Sequence, residues 1–268
     1  MARPIEISKK EIIFDIKKLS KELGRKPSKR DSSRLNDLAK RHFGSWNNAL
    51  EEAGFDIKIL QKPNVPTKLD ENLSYFLGLL ITDGHIVINN YYKIMIYTSY
   101  AEEKLVLKKL IGNLFDYTPS VRGRVTGFSN NINYEIYISS KILAEILVKD
   151  FHIPSGAKSK VVIIPKYFFN SSNRNILAFI RGVIDGDGYV AKDFLRFASG
   201  SENFLKDLRR LLNLLNIKTG KISKDKRTDT FTLCVYRKAD LQRLAKFLYW
   251  DNCPFYPRKK ISWQRYLN

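Results

Sequence analysis

The 268 residues include only two cysteines, two methionines and three histidines, so sulfur and imidazole ligands are scarce. Cys234 and Cys253 stand too far apart for a zinc motif, which leaves them a reduced, core role. His42, His85 and His152 show no ligand spacing and read as structural. No apolar run approaches the roughly 20 residues a bilayer span needs, which excludes a membrane helix. The opening MARPIEISKKEIIFDIKK carries acids and lacks a signal-peptide core. The resulting expectation is an intracellular protein, in cytoplasm, nucleoid or an organelle, with no membrane partner. Acid is scarce relative to base: 27 Asp and Glu face 47 Lys and Arg, for a formal charge of +20. Such an excess repels itself and is offset by a polyanion, above all nucleic acid. Its clustering into distinct basic segments argues against a merely lysine-coated surface.

The remaining composition, 44% hydrophobic and 28% charged, is that of a globular chain. Its length suggests two domains. Residues 1–60 read as helices. Ser8 and Glu11 form a capping box, Ile12, Ile13, Ile16, Leu19 and Leu23 recur at helical spacing, and Gly24 stops the run. Pro27 and Ser28 predict a short second helix, Leu35 and Leu38 a third, and Ser45 caps a fourth that ends by Gly54. QKPNVPTK, residues 61–68, reads as a linker. From Leu69 the order is helix, hairpin, helix, hairpin, helix, with the first hairpin turning at Asn89-Asn90. The order then restarts, giving one half over 69–153, a crossover over 154–172 and a second half over 173–268. The period of about 104 residues suits two copies of a half-domain related by a pseudo-twofold axis.

Each copy opens with an oily helix ending in Asp-Gly: FLGLLITDG at 76–84 and IRGVIDGDG at 180–188. Gly78 and Thr82, like Gly182 and Gly186, lie four apart on one helix face, where small residues let two backbones approach. Pairing these helices about the axis would bring Asp83 and Asp187 together. Like charges at the negative ends of two helix dipoles need compensation, and hard carboxylate oxygens suit Mg²⁺ or another divalent cation. In a basic protein this points to phosphodiester hydrolysis. Asp-Gly alone is more often a plain helix stop with glycine in the left-handed conformation. Two copies in matching frames make that the weaker reading. Asp185 carries less weight, because its counterpart is Ile81.

These motifs, the duplication and the element order resemble the LAGLIDADG homing endonucleases in their single-chain, two-motif form, over roughly residues 69–268. The first motif departs in carrying Ile81 where an acid often sits. The resemblance implies an α+β fold: duplicated αββαββα half-domains with pseudo-twofold symmetry that form a DNA-binding β-saddle, preceded by a small all-α domain. It implies metal held by Asp83 and Asp187 with the main-chain carbonyls of Thr82 and Gly186. It also places a basic residue after the last helix of each copy, which matches GAKSK, with Lys158 and Lys160, and PRKK, with Arg258, Lys259 and Lys260. Ser99 and Ser199 fall where a water-positioning side chain is common, although serine is short for that role; Lys192 is a further candidate. FGSWNNALEEAGF, 43–55, resembles the helical repeat attached to homing endonucleases.

Two-stranded ribbons fit the major groove, and alternate side chains can reach base edges. Candidates on such faces are Arg122, Arg124, Glu135 and Tyr137 in the first copy and Arg196, Lys221, Ser223, Thr230 and Thr232 in the second. Arg25, Lys29, Arg30 and Arg41 of the first domain are candidates for flanking phosphates. The expected protein is a monomeric, site-specific double-strand DNA endonuclease with a long asymmetric site. The alternatives are a group I intron maturase, with intron RNA as a partner, or a non-cleaving DNA-binding regulator on the same scaffold. An intein is disfavoured, since the chain begins at Met1 with a DNA-binding module and shows no Cys or Ser splicing junction.

Overall fold

The computed structural model describes residues 7–56, 61–89, 91–125, 132–225 and 227–267. The chain divides into two compact units, 1–60 and 61–268. In the first, α1 (Lys9–Leu23) starts at the Ser8–Glu11 capping box and ends at Gly24 in the left-handed conformation. α2 (Ser33–Phe43) and α3 (Trp46–Glu52) are capped by the hydroxyls of Ser32 and Ser45. Ile12, Ile16, Leu35, Ala39, Trp46, Ala49 and Leu50 close a small core among them. The helix expected at Pro27-Ser28 is instead a turn. Asp31 accepts the Ser28 N–H at 2.7 Å, and both its oxygens are taken by the Arg25 guanidinium at 2.8 Å. That side-chain lock satisfies the backbone locally and competes with a helix.

The second unit repeats one plan twice. α4 (Glu71–Thr82) leads into β1 (Gly84–Ile88) and β2 (Tyr92–Thr98), then α5 (Ala101–Phe115), β3 (Ser120–Val125), β4 (Ile132–Ile138) and α6 (Lys141–Lys149). After a 3₁₀ turn at Lys166–Asn170 follow α7 (Asn173–Gly186), β5 (Tyr189–Val190), β6 (Leu195–Ser199), α8 (Glu202–Leu214), β7 (Ser223–Asp225), β8 (Thr230–Val235) and α9 (Lys238–Leu248). The antiparallel sheets have the same order, β1-β2-β4-β3 and β5-β6-β8-β7. The first hairpin turns where expected, although Asn90 lies outside the described residues. Residues 61–68 run along this unit, with the Asn64 N–H donating to Phe115 O at 2.7 Å and Gln61 accepting from the Thr118 N–H at 2.8 Å. A helix beyond the sequence reading, α10 (Pro257–Trp263), opens with proline at its first position, where the missing N–H costs nothing.

The apolar faces of both sheets and all their helices share one core, with α4 and α7 at its centre. α4 is buried on every side from Leu73 to Ile81, as a helix with apolar residues all round must be. The two backbones touch through glycine. A Cβ on Gly78 would stand 2.4 Å from Phe179 O, and one on Gly182 would stand 2.3 Å from Tyr75 O. The reciprocity of these contacts is the pseudo-twofold axis seen at atomic scale. The glycines that end the motifs, Gly84 and Gly188, do not adopt positive φ, contrary to the ordinary helix-stop reading. They are needed because the chain folds back on its own helix, so that a Cβ would lie 2.6 Å from the Cα of Leu80 or Ile184.

The crossing predicts opposite outcomes for two glycine-to-alanine changes. Gly182→Ala must push the helices apart and is expected to cost roughly 1–3 kcal/mol or more. Gly112→Ala, in α5 with nothing within 4 Å of the new methyl, is expected to gain about 0.5–1 kcal/mol. Denaturant unfolding of the two variants measures both.

Candidate active site and nucleic-acid interface

Asp83 and Asp187 are the C-terminal caps of α4 and α7, with nearly the same backbone angles, φ −86°, ψ 0° and φ −94°, ψ −7°. The contact continues beyond the paired glycines. A Cβ on Gly186 would meet Thr82 Oγ1 at 2.1 Å and Asp83 Oδ2 at 3.2 Å, so the two motif ends lie side by side. A cleft opens on each side of them. One, of about 560 Å³, is lined by Asp83 with Gly186, and by Ser99, Glu103, Arg124 and Arg258. The other, of about 500 Å³, is lined by Asp187 with Thr82, and by His85, Lys158, Ser199 and Thr230. Each cleft therefore joins one copy's acid to the other copy's penultimate residue.

The electrostatics are those of acids forced together. Burial raises both carboxyls, and Asp187 beside it helps push Asp83 up to about 7. Two buried lysines oppose the rise. Lys158 donates to Leu80 O and Thr82 O at 3.1 Å, and to Ile81 O, closing the free carbonyls of α4. Lys259 donates to Gly188 O just past α7. Burial lowers both ammoniums, Lys158 to about 8 despite its acidic neighbours. Of the three sequence candidates the structure thus brings Lys158 and Lys259 to the acids. Lys160 is exposed and reaches Asp229 at 3.3 Å instead.

Among the described residues no cluster of three or more His, Cys, Asp or Glu could hold a metal. The donors beside the clefts are two carboxylates and the carbonyls of Thr82 and Gly186, all hard oxygens. The Thr82 carbonyl already accepts from Lys158 but keeps a second lone pair. So sparse a set fits a cation that retains water or takes phosphate oxygens, which is the habit of Mg²⁺.

Glu103 and Arg181 escaped the sequence reading, and Asp185, given less weight there, takes a structural place. Glu103, early on α5, is buried and holds Arg258 of α10 at 2.6 Å and the Thr98 hydroxyl, beside Asp83. Asp185 is fully buried outside both clefts. It accepts Tyr75 Oη–H and the Tyr256 N–H at 2.7 Å each, while burial raises it to about 7. Arg181 donates to Pro254 O at 2.8 Å and to Leu248 O at 2.6 Å. Together Asp185 and Arg181 fasten the segment that launches α10, and with it Lys259, to the second motif helix.

The sheet faces alternate as expected: Ile136 and Ile138 point to the core, and Glu135 and Tyr137 point away. Arg122 pairs with Glu135 in register, and its guanidinium lies 5.2 Å from the Tyr137 ring. Glu135 is ion-paired to Lys93, and Arg124 reaches the first cleft. β3 is exposed along its whole length, so Val121 and Val125 are not core. In the second sheet Arg196 stacks on Tyr189 at 5.1 Å, and Ser223 bonds Thr232 at 2.7 Å, with Thr230 on the same face. Lys221 precedes β7 rather than lying in it, and Lys192 is exposed in the β5–β6 turn. Ser99 bonds Asn133, and Ser199 accepts the Ser201 N–H at 3.1 Å, each at the edge of one cleft. In the first unit Lys29, Arg30 and Arg41 are exposed, while Arg25 is committed to Asp31.

Comparison with known proteins agrees with this architecture. Residues 7–56 match the family model of the homing endonuclease associated repeat, and residues 174–248 match that of the LAGLIDADG-like domain. A DNA polymerase of Methanocaldococcus jannaschii is 28% identical over 163 residues, 59% of this chain. The match spans only 9% of the polymerase's length, so the polymerase's own activity is not carried over. The homing endonuclease I-DmoI in complex with DNA and Ca superposes with a TM-score of 0.54 at 19% identity, over 71% of this chain and 96% of that one. I-WcaI bound to its DNA recognition sequence gives 0.50 at 15% identity, over 74% and 88%. No helix among the described residues is long and apolar enough to cross a membrane. Residues 7–56 are thus similar to the homing endonuclease associated repeat and residues 174–248 to the LAGLIDADG-like domain, and the duplicated unit has the fold of the homing endonucleases I-DmoI and I-WcaI.

Proposed function

We propose that the protein is a site-specific double-strand DNA endonuclease, acting as a monomer with a divalent cation, Mg²⁺ by its donor chemistry. The observation that carries this reading is the pairing of Asp83 and Asp187 at the crossing of α4 and α7, with a buried lysine beside each helix end. Asp83 and Asp187, with the carbonyls of Thr82 and Gly186, would hold the metal. When bound, it would polarise the scissile phosphate and lower the pKa of a water. Two clefts around one axis suit two scissile phosphates, one from each strand. Lys158 and Lys259 keep positive charge where the phosphate gains negative charge, and the carbonyls they bond at and just past the motif-helix ends fix their ammonium groups in place. The polar faces carrying Arg122, Arg124, Tyr137, Arg196, Ser223, Thr230 and Thr232 are suited to the major groove, and differences between the halves favour an asymmetric site. I-DmoI and I-WcaI, the structural relatives, are described in complex with DNA, I-DmoI with Ca or Mn as well.

Plasmids selected from a random library for cutting in Mg²⁺ provide the test. Asp83→Asn or Asp187→Ala is expected to slow cleavage by roughly a hundredfold or more while leaving DNA binding nearly intact. Undiminished cutting by either variant would sink the reading.

The acids also set a pH dependence. The folded state holds a proton on Asp83 from its ordinary 3.8 up to about 7, whereas the unfolded chain releases it near 3.8. Proton uptake therefore favours the metal-free fold below about 4, and that contribution is lost as pH rises through about 7. Thermal melts in EDTA are expected to show the wild type losing stability relative to Asp83→Asn between about pH 4 and about pH 7, and added Mg²⁺ to reduce the loss.

The N-terminal unit supplies a tether. Changing Lys29, Arg30 and Arg41 together to alanine is expected to weaken binding and to flatten the salt dependence by up to about 0.9 for each phosphate that is no longer neutralised. Affinity measured across a salt series reads both effects.

A further inference from the structure

The two clefts occupy matching places but are filled with different chemistry. Lys158 and Lys259 correspond: each is buried, follows the last helix of its copy and donates to main-chain carbonyl oxygen at or just past the end of its own motif helix. Ser99 and Ser199 correspond as well, one at each cleft. Around them four positions diverge together. Thr98, Tyr100, Glu103 and Arg258 line the cleft of Asp83, and Ala198, Gly200, Phe204 and Ala157 line the cleft of Asp187 in their place.

In the first cleft these four residues form one assembly. Thr98 donates its hydroxyl to Glu103, and Arg258 Nε donates to Glu103 Oε1 at 2.6 Å. The guanidinium carbon lies 4.4 Å from the Tyr100 ring centroid. Glu103 is 2% exposed, while the Arg258 side chain is 41% exposed. One edge of the guanidinium is therefore anchored and one face covered. Its two terminal nitrogens carry no hydrogen bond among the described residues. A planar fork held this way has the geometry for two oxygens of a phosphate, and the buried carboxylate is the anchor that fixes its direction. In the second cleft alanine, glycine and phenylalanine offer neither the fork nor its anchor.

We infer that Arg258 contacts the scissile phosphate of one DNA strand only, with Glu103 as its positioning residue, so that the two strands are cut by unequal machinery. The inference rests on the endonuclease reading above. The experiment uses a supercoiled plasmid that the wild-type protein linearises in Mg²⁺. Arg258→Met is expected to slow one strand's cut by roughly ten- to a hundredfold, the worth of a charged hydrogen bond or two. The product then accumulates as nicked circle, with the nick mapping to one strand on sequencing. Arg258→Lys, which keeps the charge but not the fork, is expected to restore part of the rate, and Glu103→Gln to bias the same strand less strongly. Glu103→Gln combined with Arg258→Met leaves no unpaired buried charge, so it separates a missing phosphate interaction from misfolding, as checked by an unchanged melting temperature. Equal slowing of both strands, or of neither, in that folded double variant overturns the inference and leaves the endonuclease reading standing. A wild-type protein that cuts no plasmid removes both.

Discussion

The protein is organised by the contact of two helix backbones. Oily helices usually meet through side chains at 8–10 Å between axes. Here the Cα atoms of Gly78 and Gly182 are close enough that a methyl on either would collide with the other helix's carbonyl oxygens. With no side chains between them at that point, the C-terminal ends of α4 and α7 are held in one place, and the acids that cap them cannot separate. The sheets, the flanking helices and the buried tyrosines all pack around this axis in a single core.

Placing two carboxylates there works against folding, since burial and mutual repulsion both favour their neutral forms. Among the described residues the fold meets the cost with the two lysines rather than with side-chain hydrogen bonds to the acids. Lys158 spends its donors on carbonyls of α4 and Lys259 donates to Gly188 O just past α7, and both act on Asp83 and Asp187 through space. The site thus keeps carboxylate oxygens available to a ligand instead of satisfying them internally. A purely structural acid looks different: Asp185 is fully buried yet takes Tyr75 and the Tyr256 N–H directly.

How much of this was legible depended on the range of the interaction. The motif helices, the caps at Ser8 and Ser45 and the repeated element order are carried by local patterns of a few residues, and the structure contains them. The pairing of Asp83 with Asp187 could be read because a duplication turns a distant contact into a sequence regularity. Glu103 could not. Acids in the first turn of a helix ordinarily complement its dipole, and Glu102 beside it is exposed in just that way. Nothing in AEEK says which acid turns inward toward an arginine of α10. Lys160 and Lys259 were likewise equal in sequence, and only the fold separates the exposed one from the buried one. At Pro27-Ser28 the failure was local, because Asp31 with Arg25 supplied a turn that the helix-start pattern did not anticipate.

Duplication also explains where the halves agree and where they have drifted. A residue on the axis meets its own counterpart, so a change in one copy is felt at once by the other. Glycines, acids and lysines near the axis accordingly remain matched. At the cleft walls a residue of one half stands beside the segment that follows the other half's last helix, which lets Glu103 with Arg258 and Phe204 with Ala157 diverge as sets. A mismatch at the motif ends, Thr82 against Gly186, follows from the same shared contact. A Cβ on Gly186 would overlap the threonine side chain, so the larger residue in one copy requires glycine in the other. At this position the two copies differ because they share one space, and threonine on both sides could not close the contact in the same way.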